Sequence, residues 1–277
     1  MQFGTVTLAN GDAREGVQPV RTITITNPKG GCAKTTTAVN LAYALALGKT
    51  RVLLVDLDPQ AHATLGLGCR GEEMTQTVYD LLVHPDVNAT SLICETTLTH
   101  LHLLPSNGKL ARAEMELTGV LGKEIILAEH LRVLRDDYDL CIVDSPPGYG
   151  LLSTCALICA SDIIVPVQPH FYAYQGLQRT VDRVEIVKDR FHPCEINLLG
   201  LALTLVDDRS MMTKRIRASI HEDFKDLAFE SEIHCNVAVS QAPENGCSVL
   251  AFDPQSRGAR EYKALASEVR GRLLGPA

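Results

Sequence analysis

The chain has 277 residues, of which 45% are hydrophobic and 21% are charged, and this composition fits a globular protein with a sizeable core. The formal net charge is −7 at pH 7, so the field of the whole protein repels nucleic acid. Nine cysteines without paired spacing indicate reduced thiols in a cytoplasmic protein, and the lack of a Cys-x-x-Cys motif argues against an iron–sulfur carrier.

Residues 1–20 are polar and predict a short N-terminal leader, whereas residues 21–277 predict a single α/β domain. Apolar strands alternate with helical patterns along this domain, as a mostly parallel, twisted sheet flanked by helices requires. Strands are predicted at 21–27, 51–56, 101–104, 138–143, 162–167 and 196–206, and helices at 35–47, 109–117, 123–136, 173–190, 210–224 and 257–273. Nothing resembles a signal peptide, and the longest apolar helical run is too short to cross a membrane.

The first strand and the first helix are joined by a segment that predicts a phosphate-binding loop. Its residues are Lys29, Gly30, Gly31, Cys32, Ala33, Lys34, Thr35 and Thr36. Glycines allow a tight turn that aims backbone N–H groups at phosphate oxygens, and the helix start adds its positive dipole end. Lys34 is placed to hold the β- and γ-phosphates, Thr35 to put its hydroxyl on Mg²⁺, and Thr36 to donate to the α-phosphate.

The loop departs from the strict G-x-x-x-x-G-K-[ST] pattern, because Pro28 and Ala33 occupy the two glycine positions. It also carries a second lysine, Lys29, at its mouth. A lysine there points away from its own nucleotide, and its natural target is a phosphate bound to a facing subunit. The alternative interpretation is a glycine-rich turn with an incidental Lys-Thr pair.

Three aspartates follow apolar strands and are predicted at the rim of the sheet beside the loop. Asp144 is the expected water-mediated Mg²⁺ ligand, and Asp58 is the candidate for positioning the attacking water. Asp56 is a further candidate for lining the metal site. Taken singly, such aspartates also end strands and cap helices in proteins without any site.

Together these segments resemble the deviant Walker-box P-loop ATPases of the MinD/ParA superfamily, and specifically the ParA/Soj-type partition ATPases. The resemblance runs from about residue 21 to about residue 272. Besides the phosphate loop it rests on Val52–Gln60, Leu104–Asn107, Asp144–Gly148, Val165–Gln168 and Asp253–Ala259. The stretch Leu104–Asn107 has no obvious catalytic duty.

The resemblance implies a slow, Mg²⁺-dependent ATPase with ATP and Mg²⁺ as cofactors, which closes into a homodimer when ATP binds. In that dimer Lys29 would reach the partner's nucleotide. The dimer would bind DNA without sequence preference, and a ParB-like protein or a cargo adaptor would stimulate hydrolysis. The protein would be cytoplasmic, without a membrane partner, and nucleoid-associated in its ATP form. Thr204 and Asn236 are predicted beside the adenine, at loop ends.

The DNA-binding face is predicted on two C-terminal helices. The candidate residues are Lys214, Arg215, Arg217, Arg257, Arg260 and Lys263. Residues 207–277 carry 10 basic and 11 acidic side chains, so this part is less acidic than the rest. Cys235 and Ala238 stand where relatives often carry basic residues, and these cations are equally compatible with ordinary solvated helix faces.

Two other functions share the same loop. A MinD-like membrane-cycling ATPase needs a basic amphipathic tail, whereas the apolar positions near the C-terminus look like a helix face packed on the domain. A ParA-like protein can also position a protein cargo, such as a carboxysome or a chemosensory cluster, on the nucleoid. Because a partner protein selects the cargo, sequence alone leaves this second alternative open.

Overall fold

The structure, a computed structural model, describes residues 20–191 and 195–274. The predicted leader, residues 1–20, lies outside the described residues except for Val20. Within these ranges the chain forms one sheet covered by helices on both faces, which confirms the predicted single α/β domain.

The sheet has seven strands in the order β3-β4-β2-β5-β1-β6-β7. They are β1 (Arg21–Ile25), β2 (Val52–Asp56), β3 (Cys94–Glu95), β4 (Leu101–Leu104), β5 (Leu140–Asp144), β6 (Asp162–Val167) and β7 (Asn197–Leu203). Neighbouring strands pair in parallel except β3, which runs antiparallel to β4 at one edge. Helices cover both faces of the parallel strands at the centre of the sheet. Side chains on both sides of these strands are therefore buried, which explains why the strand sequences are continuously apolar.

The helices connect these strands and vary widely in length. They are α1 (Lys34–Leu47), α2 (His62–Gly66), α3 (Val78–Val83), α4 (Ala113–Glu116), α5 (Ile126–Val133), α6 (Leu151–Ile158), α7 (Phe171–Arg190), α8 (Met211–Asp223), α9 (Val237–Gln241), α10 (Val249–Phe252) and α11 (Arg257–Leu274). No helix in the described part of the chain is long and apolar enough to span a membrane.

Alternate residues of the central strands pack on opposite sides of the sheet. Leu54 and Ile142 join a buried cluster with α1 and α11. Leu53 and Val143 join a second cluster with α3, α5 and α6. A third cluster covers β6 and β7 with α7 and α8. This two-sided burial holds the strands rigidly and fixes where their carboxyl ends lie.

The structure differs from the predicted elements mainly in short segments. Strand β3 and helices α2, α3, α6, α9 and α10 were not predicted, because segments of at most 8 residues are too short to display a helical period. The predicted helix 109–117 is a 3-10 turn, Gly108–Arg112, followed by α4. Strand β7 ends before Leu205, whose left-handed backbone (φ 52°) cannot continue a strand.

The register of the central strands brings the predicted site residues to one edge. Asp144 at the end of β5 lies opposite Asp56 on one side and Ile25 on the other. The loop that follows β1 therefore begins beside two carboxylates, as the carboxyl ends of parallel strands allow.

Candidate nucleotide and metal site

The phosphate loop owes its shape to two residues with left-handed backbone, Gly31 (φ 75°) and Ala33 (φ 62°). Ala33 immediately precedes α1 and occupies the position of the second glycine in the strict motif. Left-handed backbone costs a non-glycine residue roughly 1–2 kcal/mol, which explains why glycine is usual there. The space around the Cα atoms of Gly30 and Gly31 is open, so a ligand can approach the backbone closely.

Neighbouring elements anchor the loop from below. The Asn27 side chain donates to the Pro166 carbonyl (2.8 Å) and accepts from the Lys29 N–H (2.9 Å). The N–H of Gly148, just beyond β5, donates to the carbonyl of Pro28 (2.9 Å). These bonds tie the loop to the ends of β6 and β5, so its N–H groups are held in place before any ligand arrives.

The two loop lysines lie in different environments. Lys34 is only 7% exposed, and its ammonium group donates to the backbone carbonyl of Lys29 (3.1 Å), so the side chain folds over the loop. Lys29 is exposed, and its ammonium group contacts the Nε2 atom of His170. The Lys34 side chain thus lies over its own loop, whereas the Lys29 side chain lies at the surface.

Asp144 is fully buried, and neither of its carboxylate oxygens makes a hydrogen bond of normal geometry with the described residues. Burial and the adjacent Asp56 raise the pKa of Asp144 well above its ordinary value, while the nearby Thr35 hydroxyl and Lys34 ammonium group oppose that rise. A buried carboxylate without partners is costly unless a cation or donor satisfies it. Asp144 therefore fits the environment of a divalent metal ion.

Asp56 is equally buried but well bonded. Its Oδ2 atom accepts from the backbone N–H (2.8 Å) and the hydroxyl (2.7 Å) of Thr64, and its Oδ1 atom accepts from the Asp58 N–H (3.2 Å). Burial still outweighs these bonds and raises the pKa of Asp56 to about 6. Asp56 thus organises its surroundings, whereas the Thr35 hydroxyl, and Asp144 through water, are the groups that would hold Mg²⁺.

Asp58 is held by a small network that sequence reasoning missed. The Ser106 hydroxyl donates to the Asp58 carbonyl (2.8 Å), and the Ser106 N–H donates to the Thr64 hydroxyl (2.9 Å). The Asp58 side chain accepts from the Gln60 N–H (2.9 Å) and is 8% exposed. Ser106 belongs to the stretch Leu104–Asn107, which is part of the family resemblance, and in the structure it helps to position Asp58. Membership of that stretch is the one signal in the sequence that could have suggested this role for Ser106.

The two residues predicted beside the adenine occupy different positions. Thr204 is fully buried, and its hydroxyl donates to the Cys32 carbonyl (3.1 Å), so it supports the phosphate loop from inside. Asn236 caps the start of α9 by accepting from the Val239 N–H (3.3 Å). Both side chains are already bonded within the protein, and their contact with the base stays a prediction.

The cations predicted to bind DNA fall into two groups. Lys214, Arg215 and Lys263 are exposed, and Arg260 is exposed with its guanidinium bonded to the Gln255 carbonyl. Arg217 and Arg257 are instead neutralised by carboxylates. Arg217 pairs with Asp208 and Glu232 (both 3.1 Å), and Arg257 pairs with Glu261 (2.6 Å) and Asp208 (3.5 Å). Asp208 therefore brings the two predicted DNA-binding helices together.

Comparison with known proteins agrees with this geometry. The family described as an AAA domain matches residues 20–197. The sporulation initiation inhibitor protein Soj of Bacillus subtilis is 39% identical over 247 residues, covering 89% of this chain and 97% of that protein. The chromosome partitioning protein ParA of Myxococcus xanthus is 36% identical over 266 residues, covering 96% of this chain and 93% of that protein.

Among solved structures, a similar one is described as cobyrinic acid a,c-diamide synthase from Mycobacterium smegmatis with a bound ATP analogue and magnesium. It is 30% identical with a TM-score of 0.78, covering 92% of this chain and 96% of that chain. Residues 20–197, which the family model matches, include the strands and the loop that form the site described above. The chain therefore belongs to the ParA/Soj family of deviant Walker-box P-loop ATPases, and it is an ATPase that uses ATP and Mg²⁺.

Proposed function

We propose that this ATPase segregates plasmid or chromosomal DNA by closing into a homodimer when ATP binds and then holding DNA without sequence preference. A ParB-like partner would stimulate hydrolysis and release the DNA, so the protein would be nucleoid-associated in its ATP form. The observation that carries the proposal is Lys29, an exposed second lysine at the mouth of the phosphate loop. The similarity to Soj and ParA proteins supports the DNA cargo.

In this proposal each residue of the site has a separate duty. Lys34 and the loop N–H groups bind the phosphates of ATP, and Asp58 orients the water that attacks the γ-phosphate. The P–O bond between the β- and γ-phosphates breaks, and ADP and phosphate leave. Thr35 and Asp144 would hold Mg²⁺, which when bound neutralises charge on the phosphate oxygens. The buried walls around Asp56 and Asp144 keep excess water away from the phosphates.

Replacing Lys29 by alanine is expected to abolish the ATP-dependent dimer while changing ATP affinity less than about threefold, since the exposed side chain adds little to binding within its own subunit. Light scattering with Mg²⁺ and ATP would measure the dimer, and nucleotide titration would measure affinity. Lys109→Ala removes an equally exposed lysine elsewhere and serves as the control. A Lys29→Ala protein that still dimerises with ATP would refute the cross-subunit duty of Lys29.

Replacing Asp58 by alanine is expected to slow ATP hydrolysis at least about tenfold and to leave an ATP-bound dimer that persists, because the water loses its orienting carboxylate. The hydrogen bond from the Ser106 hydroxyl to the backbone carbonyl of residue 58 is retained in this variant, so the segment after β2 keeps this support. Single-turnover hydrolysis and light scattering would follow the two effects. Asp86→Ala, at an exposed aspartate, is the control, and normal turnover in Asp58→Ala would remove Asp58 from the mechanism.

The decisive test of the proposed function is DNA binding that depends on the nucleotide. Fluorescence anisotropy of a labelled random-sequence duplex would be measured with Mg²⁺ and ATP, ADP or no nucleotide, at two salt concentrations. Binding that requires ATP and weakens with salt is the expected result, because phosphate contacts release counterions. A lack of binding in every nucleotide state would contradict the proposed function.

The ion pairs of Asp208 allow a sharper version of this experiment. Asp208→Asn is expected to strengthen ATP-dependent DNA binding by about threefold or more, because it removes one negative charge from the predicted DNA-binding face and leaves Arg217 and Arg257 with one carboxylate partner each, Glu232 and Glu261. The double substitution of Lys214 and Arg215 by alanine should weaken binding and reduce its salt dependence. Asp226→Asn changes the same charge at an exposed position and is the control. Equal affinities for Asp208→Asn and Asp226→Asn would mean that the Asp208 carboxylate does not weaken the contact of Arg217 and Arg257 with DNA.

A further inference from the structure

A cavity of about 270 Å³ lies away from the phosphate loop, between the start of α6, the segment before α5 and the C-terminal half of α7. Three cationic side chains line it, Lys123, Arg183 and Arg190, and they come from two separate parts of the chain. The Glu124 carboxylate also lines the cavity, and the Glu114 carboxylate lies against Gly150 at its edge. The walls therefore carry an excess of positive charge, although the whole chain has a formal net charge of −7.

Within residues 20–191 and 195–274, none of the three cations of this cavity forms an ion pair, whereas Arg217 and Arg257 each pair with carboxylates. Like charges that line one partly enclosed site repel each other, and a bound anion lowers that repulsion. The cavity therefore favours an anionic ligand.

Arg183 is also held in a fixed orientation. Its Nη2 atom donates to the Thr154 hydroxyl (2.7 Å), and its guanidinium lies 5.9 Å from the centre of the Tyr149 ring. A guanidinium positioned in this way loses little conformational entropy when it binds an oxyanion. Tyr149 and Phe191 add aromatic surface to the cavity, which suits a ligand with an apolar part beside its charges.

We propose that this cavity is a second ligand site, which binds a small polyanion whose charged groups are phosphates or carboxylates. The volume suits a small molecule and excludes a folded domain or a duplex. Three cations around one cavity match a ligand with two or more negative charges, and Glu124 limits the negative charge that the site accepts. Nothing in this site overlaps the residues that bind ATP.

The cavity contains no residue of the phosphate loop but is connected to it through the segment around Tyr149. Tyr149 follows Gly148, whose N–H donates to the Pro28 carbonyl of the loop (2.9 Å). Tyr149 and Arg183 also line a narrow cleft that reaches Thr26 and Pro28. A ligand in the cavity would therefore contact the segment that supports the loop, and binding at the two sites must be measured independently.

The test uses the full chain carrying Lys34→Ala, so that the phosphate loop contributes little to anion binding. Isothermal titration with inorganic pyrophosphate, and separately with citrate, in Mg²⁺-free buffer would measure the affinity of the cavity. The pyrophosphate and citrate titrations together distinguish a phosphate from a carboxylate ligand. Into this background we would introduce Arg183→Gln with Arg190→Gln, Glu124→Gln, and Arg179→Gln. Arg179 is an exposed arginine on α7 outside the cavity and is the matched control.

Saturable binding of at least one probe is expected. The Arg183→Gln and Arg190→Gln pair should weaken it at least about tenfold, since two charge-assisted contacts are lost, and Arg179→Gln should leave it within about twofold. Glu124→Gln should tighten binding by about threefold, a gain that damage to the fold cannot imitate. Absence of saturable binding for both probes, or equal binding in the Arg183/Arg190 and Arg179 variants, would overturn the proposal.

Discussion

Replacing Lys34 by alanine is expected to lower the affinity for ATP at least about a hundredfold, because charge-assisted hydrogen bonds contribute about 1.5–3 kcal/mol each. The Lys34 side chain is nearly buried, and its ammonium group already lies over the loop on the Lys29 carbonyl. It is therefore held where phosphates would bind, and little rearrangement is needed on binding. Titration with a fluorescent ATP analogue, confirmed by calorimetry with ATP, would measure the loss.

The control for this experiment is Lys225→Ala, which removes an exposed lysine that follows α8. Its ATP affinity should equal that of the wild type, since dissolved ions screen the interaction between an exposed charge outside the site and the bound nucleotide. A Lys34→Ala protein with unchanged ATP affinity would show that the loop is not the phosphate-binding element. Loss of affinity in both variants would instead indicate a general effect of charge.

The phosphate loop could be predicted from sequence because its chemistry is contiguous. Strand, glycines, lysine and helix start follow one another, and local backbone rules are enough to aim their N–H groups at a phosphate. Even the departure at Ala33 keeps the left-handed backbone that the strict motif assigns to glycine (φ 62°). Asp144 and Asp56 were predictable for a related reason, since each ends an apolar strand, and parallel strands share one functional edge.

The remaining parts of the site depend on contacts between distant residues. Ser106 and Asp58, which are hydrogen-bonded, are separated by 48 residues in the sequence, and Thr204 and Cys32 are separated by 172. Neither serine nor threonine carries a local pattern that marks such a contact. The same holds for Asp208, which pairs with Arg217 and Arg257 in a charge cluster at the surface. The sequence shows which residues are charged, whereas the fold determines which of these charges form ion pairs.

Replacing Asp144 by asparagine is expected to have opposite effects on activity and on stability. Mg²⁺-dependent ATP hydrolysis should fall by about 10–100-fold, the usual cost of losing a group that supports a bound metal. The nucleotide-free protein should become more stable at pH 8 by about 1–3 kcal/mol, because a buried carboxylate without a hydrogen bond of normal geometry is replaced by a neutral group. For a chain of this size that gain raises Tm by about 2–6 °C.

The stability difference between Asp144→Asn and the wild type should depend on pH. Burial raises the pKa of Asp144 well above its ordinary value and that of Asp56 to about 6, so the folded protein binds protons more tightly than the unfolded chain. Stability of the wild type therefore decreases as the pH rises from the ordinary carboxyl pKa of about 4 through the raised values. The advantage of Asp144→Asn should be large at pH 8 and should shrink as the pH falls through the raised pKa of Asp144.

Asp139→Asn makes the same chemical change at the residue preceding β5 and should act in the opposite direction. Hydrogen bonds from the Arg51 side chain hold the pKa of Asp139 below its usual value, so its charged form favours the folded state above pH 4. Because that pair is exposed, Asp139→Asn should lower Tm only slightly at pH 8 and leave hydrolysis unchanged. Thermal unfolding of both variants and the wild type between pH 5 and pH 8, without nucleotide, would compare them. If Asp144→Asn lowered Tm at pH 8, its carboxylate would have partners that offset burial, and the case for a metal ion at Asp144 would fail.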